Sequence, residues 1–236
     1  MAEIINRPTM QNRILAALPT ADYNRLLPYL EPVKLVQGEI LYREGDLIDH
    51  VYFPDNAMIS LTTTTDEGHN IEIGIIGREG MSGTGTLLGV DSSPNQVIIQ
   101  LPNNGLKIKT DVIKAEFHRG GALQKLSLRY LHGLINQISQ TAICNRLHTI
   151  EQRLSRWLLM SHDRYDSNSL PLTQDFLSIM LGVNRPSLTI AAIALQNTGL
   201  IRYRRGTIKI LDRTGLENFT CECYGKVKIE DDRFPL

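Results

Sequence analysis

The sequence predicts an α+β protein with a β-rich N-terminal part, one long helix and a winged helix-turn-helix near the C-terminus. Three observations lead to this fold class. Short apolar segments separated by turn residues fill Val33 to Lys109, an apolar repeat without proline runs from Leu123 to Leu147, and two short helical patterns meet at Gly182.

Length and composition favour a folded protein that contacts no membrane. The chain has 236 residues, of which 42% are hydrophobic, and it has no run of about 18 apolar residues. Met1 to Pro8 lacks the basic and apolar segments of a signal peptide. Cys144, Cys221 and Cys223 are too few for a disulfide framework, so we expect free thiols and a cytoplasmic location.

The charge of the whole chain says nothing about nucleic acid, because 25 basic and 25 acidic residues cancel. Its distribution is more informative. The segment from Arg146 to Arg213 contains ten Lys or Arg residues and five Asp or Glu residues, so the basic excess lies in the C-terminal third.

The β-rich part reads as short strands of a barrel, roll or sandwich. The predicted strands are Lys34–Val36, Ile40–Arg43, His50–Phe53, Met58–Thr63, Asn70–Ile76 and Gln96–Gln100. Turn signals separate them, among them Gln37-Gly38, Gly45-Asp46, Glu67-Gly68 and Pro102 to Gly105. Two short helices, Asn12–Leu18 and Ala21–Leu30, are predicted ahead of the strands.

The long helix carries two apolar stripes, one more than a helix packed on a single domain requires. The first is a heptad-like seam made by Leu128, Leu131, Ile135, Ile138 and Ala142. An ordinary two-sided core helix is the alternative. We expect a dimerisation helix, because a helix of about 25 residues outruns one small domain and leaves one stripe exposed.

A helix-turn-helix is predicted from Thr173 to Leu195. Thr173 caps the first helix, Gly182 makes the turn, and Asn184 caps a second helix that begins with Arg185 and Pro186. Helical pairs of this length also serve as plain core. Here a predicted β-hairpin follows the two helices, and its two strands are joined by a basic turn at Arg204-Arg205-Gly206. Such a tip is a wing suited to phosphate contact, or else a solvated basic turn.

Several blocks together resemble the Crp/Fnr superfamily of bacterial transcription regulators over nearly the full chain. The blocks are Gly38–Gly45, His50–Pro54, Ile76–Met81, Cys144–Leu159, Thr173–Leu195 and Ile201–Leu211. The resemblance implies a jelly-roll-like β-roll sensor related to cyclic-nucleotide-binding domains (residues 1–110), a short helix and the dimerisation helix (111–147), and a winged helix-turn-helix with a C-terminal tail (148–236).

The resemblance also implies DNA-binding residues on the second helix and the wing. Arg185 stands at the first base-contacting position, whereas Pro186 and Ile190 replace a glutamate and an arginine of the catabolite activator, so the operator is expected to differ. Ile190 either touches a thymine methyl or packs inside, and packing is favoured. The expected DNA contacts are Thr173, Gln174, Arg185, Pro186, Ser187, Thr189, Ile190, Arg202, Arg204, Arg205 and Lys209.

The expected sensor departs from the cyclic-AMP-binding members. Those members hold the ribose with a Gly-Glu pair and the phosphate with an Arg, but here Thr84 follows Gly83 and no basic residue accompanies Asn95-Gln96. Either a plain glycine-rich turn or a site for another anion fits this segment. The candidate effector residues are Glu72, Gly83, Thr84, Gly85, Thr86 and Gln96.

No cofactor is expected. The N-terminal cysteines that hold an iron-sulfur cluster in oxygen-sensing relatives are missing, and haem is disfavoured because the histidines are scattered. Cys221-Glu-Cys223 lacks the spacer of common zinc knuckles and has no histidine nearby in sequence, so thiol packing is preferred to a metal. Cys144 is expected in the core, and His148 near the domain junction. We find no nucleophile, base and orienter group typical of an enzyme.

The sequence thus predicts a homodimeric regulator of a palindromic double-stranded operator, with RNA polymerase and an unknown small-molecule effector as further partners. A signal at the β-roll would shift the long helix and change the separation of the DNA domains. The alternative is a ligand-sensing or protein-interaction module of the same fold that does not bind DNA, which the zero net charge and Ile190 favour.

Overall fold

A computed structural model describes residues 11–68 and 70–233 of the chain. Met1 to Pro8, on which the expectation about a signal peptide rests, lie outside the described residues. Two helices come first, α1 (Arg13–Ala16) and α2 (Thr20–Leu26), followed by one 3-10 turn (Leu27–Tyr29). The two predicted N-terminal helices are confirmed in position, and both are shorter than predicted.

Within the described residues, seven strands form the N-terminal domain as two antiparallel sheets. They are β1 (Glu31–Leu35), β2 (Ile40–Tyr42), β3 (His50–Pro54), β4 (Met58–Thr64), β5 (Asn70–Ile76), β6 (Gln96–Leu101) and β7 (Asn103–Lys109). One sheet has the order β1-β7-β3 and the other β2-β6-β4-β5. Leu35 and Phe53 of the first sheet and Ile59 and Ile99 of the second lie in one apolar core. The chain therefore forms a roll around a shared interior.

Strand β7 corrects the turn predicted from Pro102 to Gly105. Asn103 and Gly105 lie in the central strand of the first sheet, where they pair with β1. Only Pro102 separates β6 from β7, so the chain passes from one sheet to the other without a loop. A Cβ on Gly105 would lie 2.8 Å from the Phe53 carbonyl oxygen. The glycine thus reflects close backbone approach inside a sheet rather than a turn.

Three helices lead from the roll to the C-terminal domain. They are α3 (Thr110–His118), α4 (Ala122–Leu147) and α5 (Ile150–Arg164). The predicted long helix is confirmed to within one residue. Thr149 begins α5 through a capping box with Gln152, which satisfies two amides that a helix start leaves free.

Among the described residues, the C-terminal domain combines α5 and four further helices with a small sheet. The further helices are α6 (Gln174–Leu181), α7 (Arg185–Asn197), α8 (Arg213–Phe219) and α9 (Glu222–Asp232), and the strands are β8 (Ser169–Leu170), β9 (Ile201–Arg204) and β10 (Thr207–Ile210). Strand β8 pairs with β10 at the edge of this sheet. Its two residues are too few to give a strand pattern in the sequence.

Among the described helices, none on its own is long and apolar enough to cross a membrane. Helices α6 and α7 pass that test of length and composition only as a pair, and the pair is bent by 103°.

The two domains share one apolar core. Leu154, Trp157 and Leu158 of α5 pack in the same buried cluster as Met58 of β4 and Ile75 of β5. Side chains alternate across a strand, so the sheet presents Ile59 to the interior of the roll and Met58 to the C-terminal domain. The second sheet is consequently buried on both faces.

A buried carboxylate lies in this shared core. Glu72 is 6% exposed, and its carboxylate accepts hydrogen bonds from the Trp157 indole nitrogen (2.8 Å) and the Ser60 hydroxyl (2.5 Å). Burial raises the pKa of Glu72 to about 7, and the hydrogen bonds from Ser60 and Trp157 and the charges of Arg156 and Arg164 oppose the rise. The folded protein therefore holds a proton that the unfolded chain releases near pH 4.5.

Glu72→Gln is expected to flatten the pH dependence of unfolding. Because the pKa of Glu72 is higher in the folded state, its contribution is fully present below about pH 4.5 and is lost as the pH rises through about 7. The loss amounts to at most about 3 kcal/mol. Urea denaturation from pH 5 to 8 measures it. The exposed Glu44→Gln is the control, and equal pH slopes for wild type and Glu72→Gln would contradict the assignment.

Candidate nucleic-acid interface

Helices α6 and α7 form the predicted helix-turn-helix. The Thr173 side chain caps α6 by accepting the Phe176 amide (3.2 Å), and Asn184 caps α7 by accepting the Ser187 amide (2.9 Å). Gly182 ends α6 with φ +58°, a left-handed conformation that glycine adopts at low cost. The angle of 103° between the helices lies in the range of DNA-binding pairs.

The first turns of α7 expose the side chains that the sequence assigns to DNA. Arg185 is 61% exposed and its Nη1 lies 3.0 Å from the Asp175 carboxylate. Pro186 is exposed beside it, and Ser187 is half-buried. The Thr189 hydroxyl donates to the Arg185 carbonyl (2.9 Å) and also lies 3.3 Å from Gln174 Oε1. Gln174 thereby connects the first helix to the second.

Ile190 does not pack inside, so the favoured sequence interpretation was wrong. Its side chain is 65% exposed. The buried face of α7 consists of Leu188, Ala191, Ala192 and Leu195. Ile190 lies on the opposite side of the helix, which is exposed to solvent. An exposed isoleucine on this face is available for apolar contact with a thymine methyl.

Strands β9 and β10 form the predicted wing. Arg205 and Gly206 connect Arg204 to Thr207, and both have positive φ, +49° and +75°. Two such central residues make a type I′ turn, whose twist matches that of a hairpin. A Cβ on Gly206 would lie 3.6 Å from the Thr173 methyl, so the wing tip lies against the start of α6.

One face of the wing is cationic. Arg202 and Lys209 are cross-strand partners, and Arg204 lies two residues after Arg202 on the same face. All three are exposed, as is Arg205. Among the described residues these four side chains have no carboxylate partner. Their charge is therefore available to phosphates.

The dimer seam of α4 divides into exposed and covered positions. Leu128 and Ile135 are 49% and 63% exposed, whereas Leu131 is 8% exposed, and Ile138 packs on the core of the roll. Ala142 is exposed. The open stripe thus repeats every seven residues through Leu128, Ile135 and Ala142, and α9 covers a neighbouring face through Asn136 and Arg129.

The structure does not bring all the candidate effector residues together. Gly83 begins a second 3-10 turn (Thr84–Leu88), where Thr86 is buried and its hydroxyl donates to the Gly83 carbonyl (2.8 Å). A Cβ on Gly83 would lie 3.0 Å from Ile48. Thr84 and Gly85 are half-buried in this turn, and Gln96 lies on β6 beside Thr62. Glu72, however, bonds to Trp157 in the core shared with the C-terminal domain.

A buried ion cluster links the roll to α5 and α9, and the sequence argument missed it. Arg164 is 2% exposed, with Nε 2.7 Å from Glu79 and Nη2 2.8 Å from Asp231. Gly77 leaves room for this arginine, because a Cβ there would lie 2.5 Å from Arg164 Cγ. Burial raises the pKa of Asp231 to about 6. The sequence signal was weak, since Arg164 lies in a polar stretch and its two partners are distant in the chain.

Two family models match the chain. Residues 32–113 match the cyclic nucleotide-binding domain, and residues 152–219 match the Crp-like helix-turn-helix domain. No curated protein matches the chain by sequence.

Solved structures share the whole architecture at low identity. A putative Crp/Fnr-family transcriptional regulator from Eubacterium rectale is 16% identical with a TM-score of 0.67, covering 87% of this chain and 96% of that one. FixK2 from Bradyrhizobium japonicum is 13% identical with a TM-score of 0.66, covering 81% and 98%. The c-di-GMP responsive global regulator CLP from Xanthomonas campestris is 15% identical with a TM-score of 0.65, covering 82% and 100%.

The family models, the order of the two domains and the shared architecture agree with the resemblance drawn from the sequence. They do not favour the alternative of a ligand-sensing or protein-interaction module of the same fold that does not bind DNA. The chain thus has the Crp/Fnr-type transcriptional regulator fold, in which a cyclic-nucleotide-binding-like sensor domain precedes a Crp-like helix-turn-helix DNA-binding domain.

Proposed function

We propose that the chain is a homodimeric transcription regulator that binds a palindromic double-stranded operator through α7 and the wing. The observation that carries the proposal is the exposed start of α7 beside a wing whose four cations have no carboxylate partner among the described residues. Such an arrangement serves no purpose in the packing of the chain itself, and it suits a polyanion.

Base reading is assigned to the first turns of α7. Arg185 carries two donors that match the acceptors of guanine, and the exposed Ile190 faces the same side as Pro186 for contact with a thymine methyl. The Arg185–Asp175 pair must open on binding. Both partners are more than 60% exposed, and such surface pairs contribute at most about 1 kcal/mol. The ion pair is therefore weak enough to open when Arg185 binds DNA.

Phosphate binding is assigned to the wing and the start of α6. Arg202, Arg204, Arg205 and Lys209 supply charge, which positions the domain without reading sequence. Thr173 and Gln174 lie beside the wing tip at the start of α6, where free amides and the helix dipole favour a phosphate.

Dimerisation is assigned to the open stripe of α4. Leu128, Ile135 and Ala142 repeat at heptad spacing on a helix of 26 residues, and an apolar stripe of this kind is buried when two such helices pair. A second copy then places a second α7 on the same duplex, which is why the operator is expected to be palindromic.

The signal is expected to reach α5 and α4 through the roll. Trp157 bonds to Glu72 of β5, and Gln137 of α4 bonds to the backbone of Ile75 with its carbonyl oxygen 2.6 Å from the amide and its amide nitrogen 3.1 Å from the carbonyl. We propose that the regulator responds to a small-molecule effector of unassigned identity and uses no cyclic AMP, iron-sulfur cluster or haem. We further propose that it has no catalytic activity, lies in the cytoplasm and contacts RNA polymerase. The structural neighbours, which are transcription regulators, support the effector and the regulatory rather than catalytic role. The absence of the three cofactors rests on the residues of the sequence alone.

Arg185→Ala is expected to abolish selective DNA binding. Fluorescence anisotropy with pooled genomic fragments, including the chain's own upstream region, identifies the tightest fragment for the wild type. The variant should lose about 5- to 150-fold in affinity for it, because a bidentate arginine contributes about 1–3 kcal/mol. Weak binding to all fragments should remain.

The control is Arg43→Ala, which removes an exposed arginine from the roll. Equal affinities of wild type and Arg185→Ala on every fragment, across a salt series, would contradict base reading by α7. Unchanged binding for Arg43→Ala with lost selectivity for Arg185→Ala is the expected pattern.

Ile135→Asp is expected to shift the protein from dimer to monomer. The substitution places a charge in the centre of the open stripe, where pairing would bury it without a partner. Size-exclusion chromatography with light scattering measures the mass. The matched control is Val36→Asp, at an aliphatic residue that is 52% exposed on the roll. A wild-type monomer that binds a palindrome tightly would contradict the dimer.

A further inference from the structure

The three cysteines and one histidine meet at the junction of α4, α5 and α9. Cys144 lies in the last turn of α4, and His148 is its C-cap, four residues later. Cys221 is the N-cap of α9 and Cys223 lies in its first turn. In the sequence only Cys221 and Cys223 lie close together. The fold adds a third thiol and an imidazole from the end of α4, which is distant in sequence.

Two of the distances within this group match those around a single tetrahedral ion, and the whole group is compact. Cys144 Sγ lies 3.5 Å from Cys221 Sγ, and Cys223 Sγ lies 3.6 Å from His148 Nδ1. All four ligand atoms lie within 4.8 Å of one another. Bonds of about 2.3 Å to sulfur and 2.0 Å to nitrogen place tetrahedral ligands about 3.5 to 3.8 Å apart. A multi-iron cluster, in which cysteines bind different irons, would hold the sulfurs farther apart.

Burial separates this group from the apolar cores. Cys144, Cys221 and Cys223 are 1%, 5% and 0% exposed, and they form a cluster of their own. Their sulfurs are 3.5 Å apart at the closest pair, far longer than a disulfide bond of about 2.05 Å.

Groups around the four residues suit a bound cation and its thiolates. His148 turns Nδ1 to Cys223, and its Nε2 lies 3.3 Å from the Glu222 carboxylate. A carboxylate on the outer nitrogen is the usual means of orienting a metal-binding histidine. The thiols of Cys221 and Cys223 lie at the start of an 11-residue helix, where the helix dipole favours negative charge.

A buried arginine supplies the balancing charge. Arg156 is 7% exposed, and its Nη1 has no hydrogen-bond partner among the described residues, although its other Nη donates to Thr141 (2.7 Å). The guanidinium lies close enough to the Cys144 and Cys223 thiols for its charge to favour their ionised forms. Three thiolates and one divalent ion carry a net charge of minus one, which one guanidinium neutralises.

We propose that Cys144, His148, Cys221 and Cys223 form a zinc site that fastens α9 to the end of α4. Thiolates with one imidazole in a closed tetrahedral arrangement are the ligand set of structural zinc. The ion would join the end of α4 to the start of α9, next to the break between α4 and α5 at which the C-terminal domain begins.

The test measures metal in the full-length protein, purified under reducing conditions without chelator. Elemental analysis should find one zinc ion per chain. After removal of zinc, cobalt(II) titration should produce thiolate-to-metal charge-transfer absorption and the visible bands of tetrahedral cobalt. Cys221→Ser and His148→Ala each remove a ligand and should lose the bands of the four-ligand site, and Glu222→Gln should weaken cobalt binding about 10- to 100-fold.

The matched control is His132→Ala, at a histidine of the same helix whose side chain is 73% exposed and which should leave cobalt binding unchanged. Circular dichroism of each variant separates loss of the site from loss of the fold, and the wild-type titration needs no variant. The proposal is overturned if the reduced wild-type protein neither carries zinc nor forms the cobalt bands, if Cys221→Ser keeps them, or if the thiols instead form a disulfide and bind no metal.

Discussion

The hydrogen bond from the Trp157 indole to the Glu72 carboxylate lies in the core on which the arrangement of both domains depends. One side of this core is the outer face of the second sheet, and the other is α5 with the helix-turn-helix packed behind it. A carboxylate at this depth needs both of its donors, so the sheet and α5 can separate only at the cost of exposing or stranding it. The contact between the roll and α5 therefore constrains the position of α6 and α7.

Helix α4 connects the other features. Its inner face packs on the roll, Gln137 bonds to β5, α9 covers a second face, and the stripe through Leu128, Ile135 and Ala142 stays open for a second copy. The Arg164 cluster joins α9 to the turn after β5. Helix α9 thus contacts both the ion cluster at the roll and α4, and the proposed zinc site lies at the break between α4 and α5.

Local chemistry was sufficient to predict the elements with strong signals. The caps Thr173 and Asn184, the glycine turn at Gly182 and the wing tip at Arg205 are decided by residues close in sequence, and each was located correctly. Contacts distant in sequence were not accessible in this way. Gly105 was misread because its close neighbour comes from β3, and Ile190 because hydrophobicity alone does not show which face of α7 is buried. The grouping of His148 with Cys221 is also purely tertiary.

In the proposed complex, two copies of α7 enter successive major grooves on one face of a duplex. Hydroxyl-radical footprinting on the tightest genomic fragment, combined with methylation interference at guanine N7, tests it most directly. The account predicts two symmetric protected half-sites whose centres lie about one helical turn, roughly 34–36 Å, apart, each with a guanine whose interference disappears in Arg185→Ala. A single unpaired protected segment, or interference unchanged by that substitution, would contradict it.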